Sequence, residues 1–309
     1  MLPNAFIAGA QKSGTTTLCE ALDCHPQAII SNPKEPAFFS LAANLSRAEV
    51  YESYFQAKDG VSARAVIDGS NAYMVDPVAP ARIREMLGEE LRFVFCLREP
   101  SARAISAYWH QAKKGRERRP LPGVFSFTST SLDAAIGEEE ERLQHAANHG
   151  RIDLMDCVER FDDPMWNFRY LRNSLYAADL ARFQSTFGAH RMKVVLFEDL
   201  ARDPATILAS VAAFLDLDPA AFPATLDLHR NATALMRAPA LVGMLRRLPG
   251  RGLLRRLPGY ETLNRALLYR RPPPADPALM GQLHRLVTPE IGRLEVVLKR
   301  DLGAIWGYA

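Results

Sequence analysis

A chain of 309 residues with 48% hydrophobic and 24% charged residues has an ordinary globular composition. This excludes disorder as a description of the whole and gives length enough for one large α/β domain with helical additions. The formal net charge of +3 is too small to argue for nucleic acid and suits an anionic small molecule equally well.

Met1 to Asn4 lack positive charge and the apolar run Ala5 to Ala10 is short, so no secretory signal is read there. No stretch reaches the roughly 20 apolar residues of a membrane helix. A cytoplasmic protein is the expectation, and abundant Ala, Arg and Pro hint at a bacterial source with a GC-rich genome. Ala5 to Ala10 reads as a buried strand, followed by a polar turn and a helix from about Thr15 to Leu22. Further strands are expected at Ala28 to Ser31, Ala65 to Asp68, Arg92 to Leu97 and Lys193 to Phe197. Helices are expected at Pro80 to Leu87, Ala102 to Lys114, Pro204 to about Leu215 and Ala278 to Lys299. Strands interleaved with helices predict βαβ units and a parallel sheet. Residues 115–131, rich in Arg, Pro, Ser and Thr, read as a long mobile loop. Within 241–274 the run Leu245 to Gly250 recurs as Leu254 to Gly259, two copies of a basic segment and too few for a repeat fold. It reads as a solvated basic face, or as a docking surface for an acidic acceptor or a membrane. The cysteines Cys19, Cys24, Cys96 and Cys157 form no CxxC pair and no Cys/His ligand spacing, so no metal or disulfide framework is expected.

Two stretches carry chemistry. Gly9-Ala10-Gln11-Lys12-Ser13-Gly14-Thr15-Thr16-Thr17 lies between a buried strand and a helix, where successive backbone N–H groups and the positive helix end cradle an anion. Ser13, Thr15, Thr16 and Thr17 add hydroxyls and Lys12 adds a charge. Thr15-Thr16 stands where a nucleoside-triphosphatase loop needs Lys-Ser/Thr, which weakens a magnesium-nucleotide kinase, the enzyme alternative. The second stretch, Arg98-Glu99-Pro100 followed by Ser106-Ala107-Tyr108, puts Arg98 at the carboxyl edge of the sheet, with Ser106 one helix face behind it.

Together these motifs resemble the sulfotransferases that use 3′-phosphoadenosine 5′-phosphosulfate (PAPS), in particular heparan-sulfate-type and related bacterial members. The first turn is similar to that family's 5′-phosphosulfate loop, and Arg98 with Ser106 to its 3′-phosphate site. Pro33-Lys34-Glu35-Pro36-Ala37-Phe38-Phe39 is similar to the segment that carries its base. Weaker echoes are Asp68-Gly69-Ser70-Asn71-Ala72-Tyr73, Ser174-Leu175-Tyr176, Phe197-Glu198-Asp199-Leu200 and Leu302-Gly303-Ala304-Ile305-Trp306. Gly69 stands where several glycan-modifying relatives have lysine, and His229-Arg230-Asn231-Ala232-Thr233 falls in the region of the family's 3′-nucleotide loop.

The resemblance implies a P-loop-like parallel β-sheet flanked by helices, with additional helices towards the C-terminus, in one domain over 1–309. Residues 115–165 would be a variable acceptor-side insertion. It implies PAPS as co-substrate, adenosine 3′,5′-bisphosphate (PAP) as product, no metal, and transfer to a hydroxyl or amine of a small-molecule or glycan acceptor, with a lipid or natural product next in order. Lys12 would stabilise the leaving oxygen, and Glu35 would take the acceptor proton. His110, the commonest residue type for proton transfer, competes with Glu35 for that role, whereas His25-Pro26 reads as a helix-ending turn.

Overall fold

Five consecutive buried residues, Ala5–Gly9, form strand β1; such a run belongs in the middle of a parallel sheet covered on both faces. A computed structural model describes residues 1–57, 62–223, 235–236, 269–270 and 272–308. After β1 come α1 (Thr15–Asp23), β2 (Ala28–Ile30), α2 (Ala48–Ser53), β3 (Ala65–Asp68), α3 (Ala79–Leu87), β4 (Arg92–Leu97) and α4 (Pro100–Lys113). Then follow α5 (Leu121–Val124), α6 (Leu132–Asn148), α7 (Met155–Val158), α8 (Ala177–Phe187), β5 (Met192–Leu196), α9 (Phe197–Arg202) and α10 (Pro204–Phe214). A short antiparallel pair, β6 (Leu235–Met236) with β7 (Tyr269–Arg270), precedes α11 (Pro277–Leu298) and α12 (Leu302–Trp306).

The main sheet is parallel, in the order β2-β3-β1-β4-β5. From β1 the chain runs out to the edge at β2, returns through β3, and crosses β1 to reach β4. Connections from β1 and β4 therefore leave in opposite directions, which opens a crevice at the carboxyl ends of these two strands. The expected βαβ sheet is the one observed.

Strand alternation gives the two faces different cores. Phe93, Phe95 and Leu97 join Phe6, Phe183 and Phe187 on one face; Val94 and Cys96 join Ile7, Leu18, Leu22, Leu208 and Val211 on the other. On the aromatic face Phe6 stacks on Phe93 at 5.1 Å and Phe95 meets Phe183 edge-on at 5.0 Å. Helices α3, α8 and α11 cover that face, and α1 and α10 cover the opposite one.

Residues 115–131 depart from the long loop expected there. Helix α5 sits inside the segment, Glu117 pairs with Ile152 in a β-bridge, and Val124, Phe125 and Phe127 are buried in a third core with α4, α6 and α11. Apolar residues every few positions among the prolines supply the burial that a solvated loop lacks. Glu117, fully buried, ties the segment down: it accepts from the Arg119 backbone N–H at 2.9 Å, from the Arg119 guanidinium at 2.7 Å and from the Tyr170 hydroxyl at 2.9 Å. Residues 241–268 of the basic duplication and 229–233 lie outside the described residues. Among the described residues no helix is long and apolar enough to cross a membrane.

Removing Glu117 strands a buried guanidinium. Glu117→Ala should cost about 3–5 kcal/mol of stability, read as a lowered urea midpoint. A midpoint within experimental error of the parent would show that the segment is held by its aromatic residues alone.

Candidate active site

Helix α1 starts at Gly14, which adopts a left-handed φ of 94° and offers no side-chain cap to the first turn. Its leading N–H groups are thus left to an outside acceptor. The left-handed backbone and crowding both require glycine there: a Cβ would sit 3.1 Å from Phe197 and 3.3 Å from Leu200. The preceding turn is pinned at three points. Ala10 N donates to Cys96 O (2.7 Å), Gln11 Nε2 to Asn167 Oδ1 (2.6 Å), and Arg103 to Gln11 O (3.3 Å). Arg103 is itself fully buried, donating to Ser174 Oγ at 2.7 Å and to Tyr170 O at 2.8 Å.

Arg98 leaves the end of β4 beside this turn, with one guanidinium nitrogen 3.5 Å from Lys12 O. Its charge lies over the Phe197 ring, 4.8 Å from the centroid, and its carbonyl accepts the Tyr176 hydroxyl at 2.9 Å. The two helix starts differ. Glu99 caps α4 by accepting from Ser101 N (2.7 Å) and Ala102 N (2.6 Å). The α4 terminus is thus satisfied by its own chain, and an anion beside Arg98 must be held by side chains, Arg98 and Ser106.

Glu35 faces the same cleft from the β2 side. Its Oε1 accepts from Lys34 Nζ at 2.6 Å and from Asn71 Nδ2 at 2.8 Å, while its carbonyl accepts from Arg160 at 2.7 Å. Gly69 makes this possible. A Cβ there would lie 2.8 Å from Lys34 O and 3.1 Å from Lys34 Cγ. The space that a larger residue at 69 would fill is taken by Lys34, which supplies the cation next to the carboxylate.

One cleft of about 930 Å³ gathers Lys12, Gly14, Thr15, Thr16 and Thr17 with Arg98 and Ser106, and Glu35 and His110 also reach it. Ser13 is the exception: it is fully buried and does not line the cleft, so the hydroxyl expected to face an anion is turned into the fold. His25 is buried between Asp218 O (2.9 Å) and the Gln27 N–H (3.1 Å), a helix-end residue as expected. Sequence reasoning passed over Gln11, Asn71, Phe197 and Pro272–Pro274, all of which line the cleft. The Asn71 and Phe197 stretches were visible as motif echoes, but without roles.

The cleft is cationic, and this tunes its groups. Burial, then Lys113, Arg98 and Lys114, lower the Lys12 ammonium to a pKa of about 8, against the opposing pull of Glu35. Burial, followed by Lys12, Lys114, Lys113 and Arg116, lowers His110 to about 2. A neutral imidazole among cations is a poor resting place for a proton.

The sulfotransferase-domain family model matches residues 2–236. Human heparan sulfate glucosamine 3-O-sulfotransferase 5 is 28% identical over 238 residues, 75% of this chain and 58% of that protein. Mouse bifunctional heparan sulfate N-deacetylase/N-sulfotransferase 3 is 25% identical over 71% of this chain and 23% of its own length. This chain thus spans less than two thirds of these curated relatives. Among solved structures, a sulfotransferase from Alicyclobacillus acidocaldarius superposes with a TM-score of 0.64 at 25% identity, covering 98% of both chains.

His110 should remain neutral across pH 5–8, its ring C–H shifts flat in an NMR titration, because protonation would add charge to a buried cationic site. Lys12→Met should raise its pKa by removing one of the repelling charges. A full titration step near pH 6.5 in the parent would refute the electrostatic assignment.

Proposed function

Since the chain belongs to the sulfotransferase-domain family, we propose that it moves a sulfuryl group from PAPS to a hydroxyl of a carbohydrate acceptor, releasing PAP and a proton. The observation that carries this reading is the single cleft that gathers the uncapped start of α1, Lys12, Arg98 and Glu35. A doubly phosphorylated adenosine needs two anion grips within one small-molecule length, and this arrangement supplies them. The α1 turn and Lys12 suit the phosphosulfate, Arg98 and Ser106 suit the 3′-phosphate, and Phe197 with Pro273 offers apolar surface for a purine.

Chemistry then follows from the residues. The Lys12 ammonium stabilises charge growing on the oxygen that leaves sulfur, a type of contact worth about 3–4 kcal/mol of barrier. Glu35 takes the acceptor proton as the new O–S bond forms. Lys34 and Asn71 hold its Oε1, which orients the carboxylate and leaves Oε2 to accept. The lowered pKa of His110, caused first by burial and then by the surrounding cations, supports Glu35 over it for that role. Carbohydrate is favoured because the relatives bear the names of heparan sulfate enzymes. Lys114, Arg116 and Arg160 around the acceptor side suit an acceptor carrying anionic groups. Residues 115–165 contribute Arg116, Cys157, Arg160 and Phe161 to that wall, which fits an acceptor-side insertion.

Two measurements test the reading. PAP should raise the melting temperature without magnesium, and Glu35→Gln should keep PAP affinity while losing about 10²-fold or more in transfer. Lys12→Ala should lose transfer by a similar factor. Stabilisation by magnesium-ATP alone would overturn the proposal. PAP favours the charged ammonium of Lys12, so binding takes up a proton above pH 8: affinity should be flat below pH 8 and fall by up to about tenfold per unit above it. Lys12→Arg, charged throughout, should remove the break.

A further inference from the structure

Beside Glu35 the cleft adjoins a smaller pocket of about 80 Å³, lined by Gln11, Asn71, Gln111, Trp166 and Asn167 among others. At roughly 10–15 Å³ per water, this is space for a handful of waters or for one ring. Two straps narrow it: Gln11 bonds Asn167 across one side, and Arg160 bonds the Glu35 carbonyl across another. The Phe161–Trp166 ring pair, 5.1 Å apart, forms part of its wall.

Polar atoms in this pocket lack partners among the described residues. Gln111 Nε2 and Oε1, Asn71 Oδ1 and Trp166 Nε1 are all buried without a hydrogen bond, on residues 1%, 5% and 9% exposed, and His110 Nδ1 is buried and unpartnered as well. Such atoms are rare and costly in a folded protein, and five belong to residues that line this one small space. Asn71 cannot be turned round without loss, because its Nδ2 is committed to Glu35; its Oδ1 therefore demands a donor. Trp166 Nε1 demands an acceptor. Only a group that both donates and accepts satisfies the set, and a hydroxyl does so, whereas a carboxylate or sulfate accepts only. Of the cations that line the pocket, Lys114 and Arg160 are exposed and Arg116 is half-buried, whereas the unpartnered polar atoms are buried.

Building on the sulfuryl-transfer reading, we infer that this pocket takes the neutral, hydroxylated end of the acceptor, a single terminal ring, with Gln111 and Trp166 as specificity residues. Any anionic part of the acceptor stays at the mouth. The small volume and the two contacts that narrow it favour a chain end over an internal ring of a polymer.

The test uses the full chain saturated with PAP, whose binding is read first in the same titration. Neutral methyl glycosides, their uronate and sulfate-ester counterparts, and linear and cyclic oligosaccharides of the same sugars are then compared as ligands by saturation-transfer NMR and, with PAPS, as acceptors. At least one neutral glycoside should bind, and its charged counterpart should bind about tenfold or more weakly. The linear oligosaccharide should be sulfated on its terminal ring and the cyclic one not at all. Gln111→Leu and Trp166→Phe should each raise the acceptor KM about tenfold, with kcat and PAP affinity within about twofold. Preference for charged rings, sulfation of the cyclic oligosaccharide, or no neutral glycoside bound by a PAP-loaded enzyme would each overturn the inference while leaving sulfuryl transfer standing. Failure of PAP to bind would overturn both.

Discussion

Pairing of β1 with β4 is the constraint on which the site depends. Ala5, Phe6 and Ile7 run in register with Arg92, Phe93 and Val94, so the turns that follow both strands emerge side by side. Lys12 and Arg98, 86 positions apart in the chain, become neighbours through that ladder. Arg103 then fixes the spacing, because its buried guanidinium holds the Gln11 carbonyl and the Ser174–Tyr170 segment at once. A parallel sheet makes such convergence natural, since every strand ends at the same edge.

Charge at that edge is deliberately unbalanced. Burial, and then repulsion from Lys113, Arg98 and Lys114, depresses the Lys12 ammonium, with Glu35 pulling the other way. A bound polyanion relieves this repulsion, so affinity and protonation are coupled through a few side chains. The α1 terminus is left uncapped while α4 is capped by Glu99, so of the two it is α1 whose leading N–H groups stay open to an anion.

Much of this was legible in the sequence, for physical reasons that vary by element. Arg92–Leu97 reads as a strand because a run buried on both faces is uniformly apolar, and its observed bounds are those expected. The β1 turn was legible because glycines and hydroxyls crowd a strand-to-helix junction. Helix α6 was not: its buried stripe runs through Glu139, whose carboxylate accepts from Leu171 N and Arg172 N, so the apolar period is broken by a residue that is buried all the same. The burial of the Ser13 side chain off the cleft lining was not legible, because spacing does not tell which way a side chain turns within a tight loop. Lys34 as the partner of Glu35, and Gly69 as the gap that admits it, depend on a contact between two segments that no local pattern encodes.

The echoes at Ser174-Leu175-Tyr176 and Phe197-Glu198 turn out to be scaffolding around Arg98. The last of them reaches furthest. Trp306 Nε1 donates to Glu198 Oε2 at 3.0 Å, Glu198 accepts the Glu99 N–H at 3.2 Å, and the Tyr308 hydroxyl donates to Glu99. A turn beside the cleft is thus buttressed by residues made some two hundred positions later. The nascent chain can lay down its sheet as it emerges from the ribosome, yet the turn that carries Arg98 acquires these braces only after Tyr308 has cleared the exit tunnel. Assembly order alone delays completion of the site until nearly all of the described chain is in place.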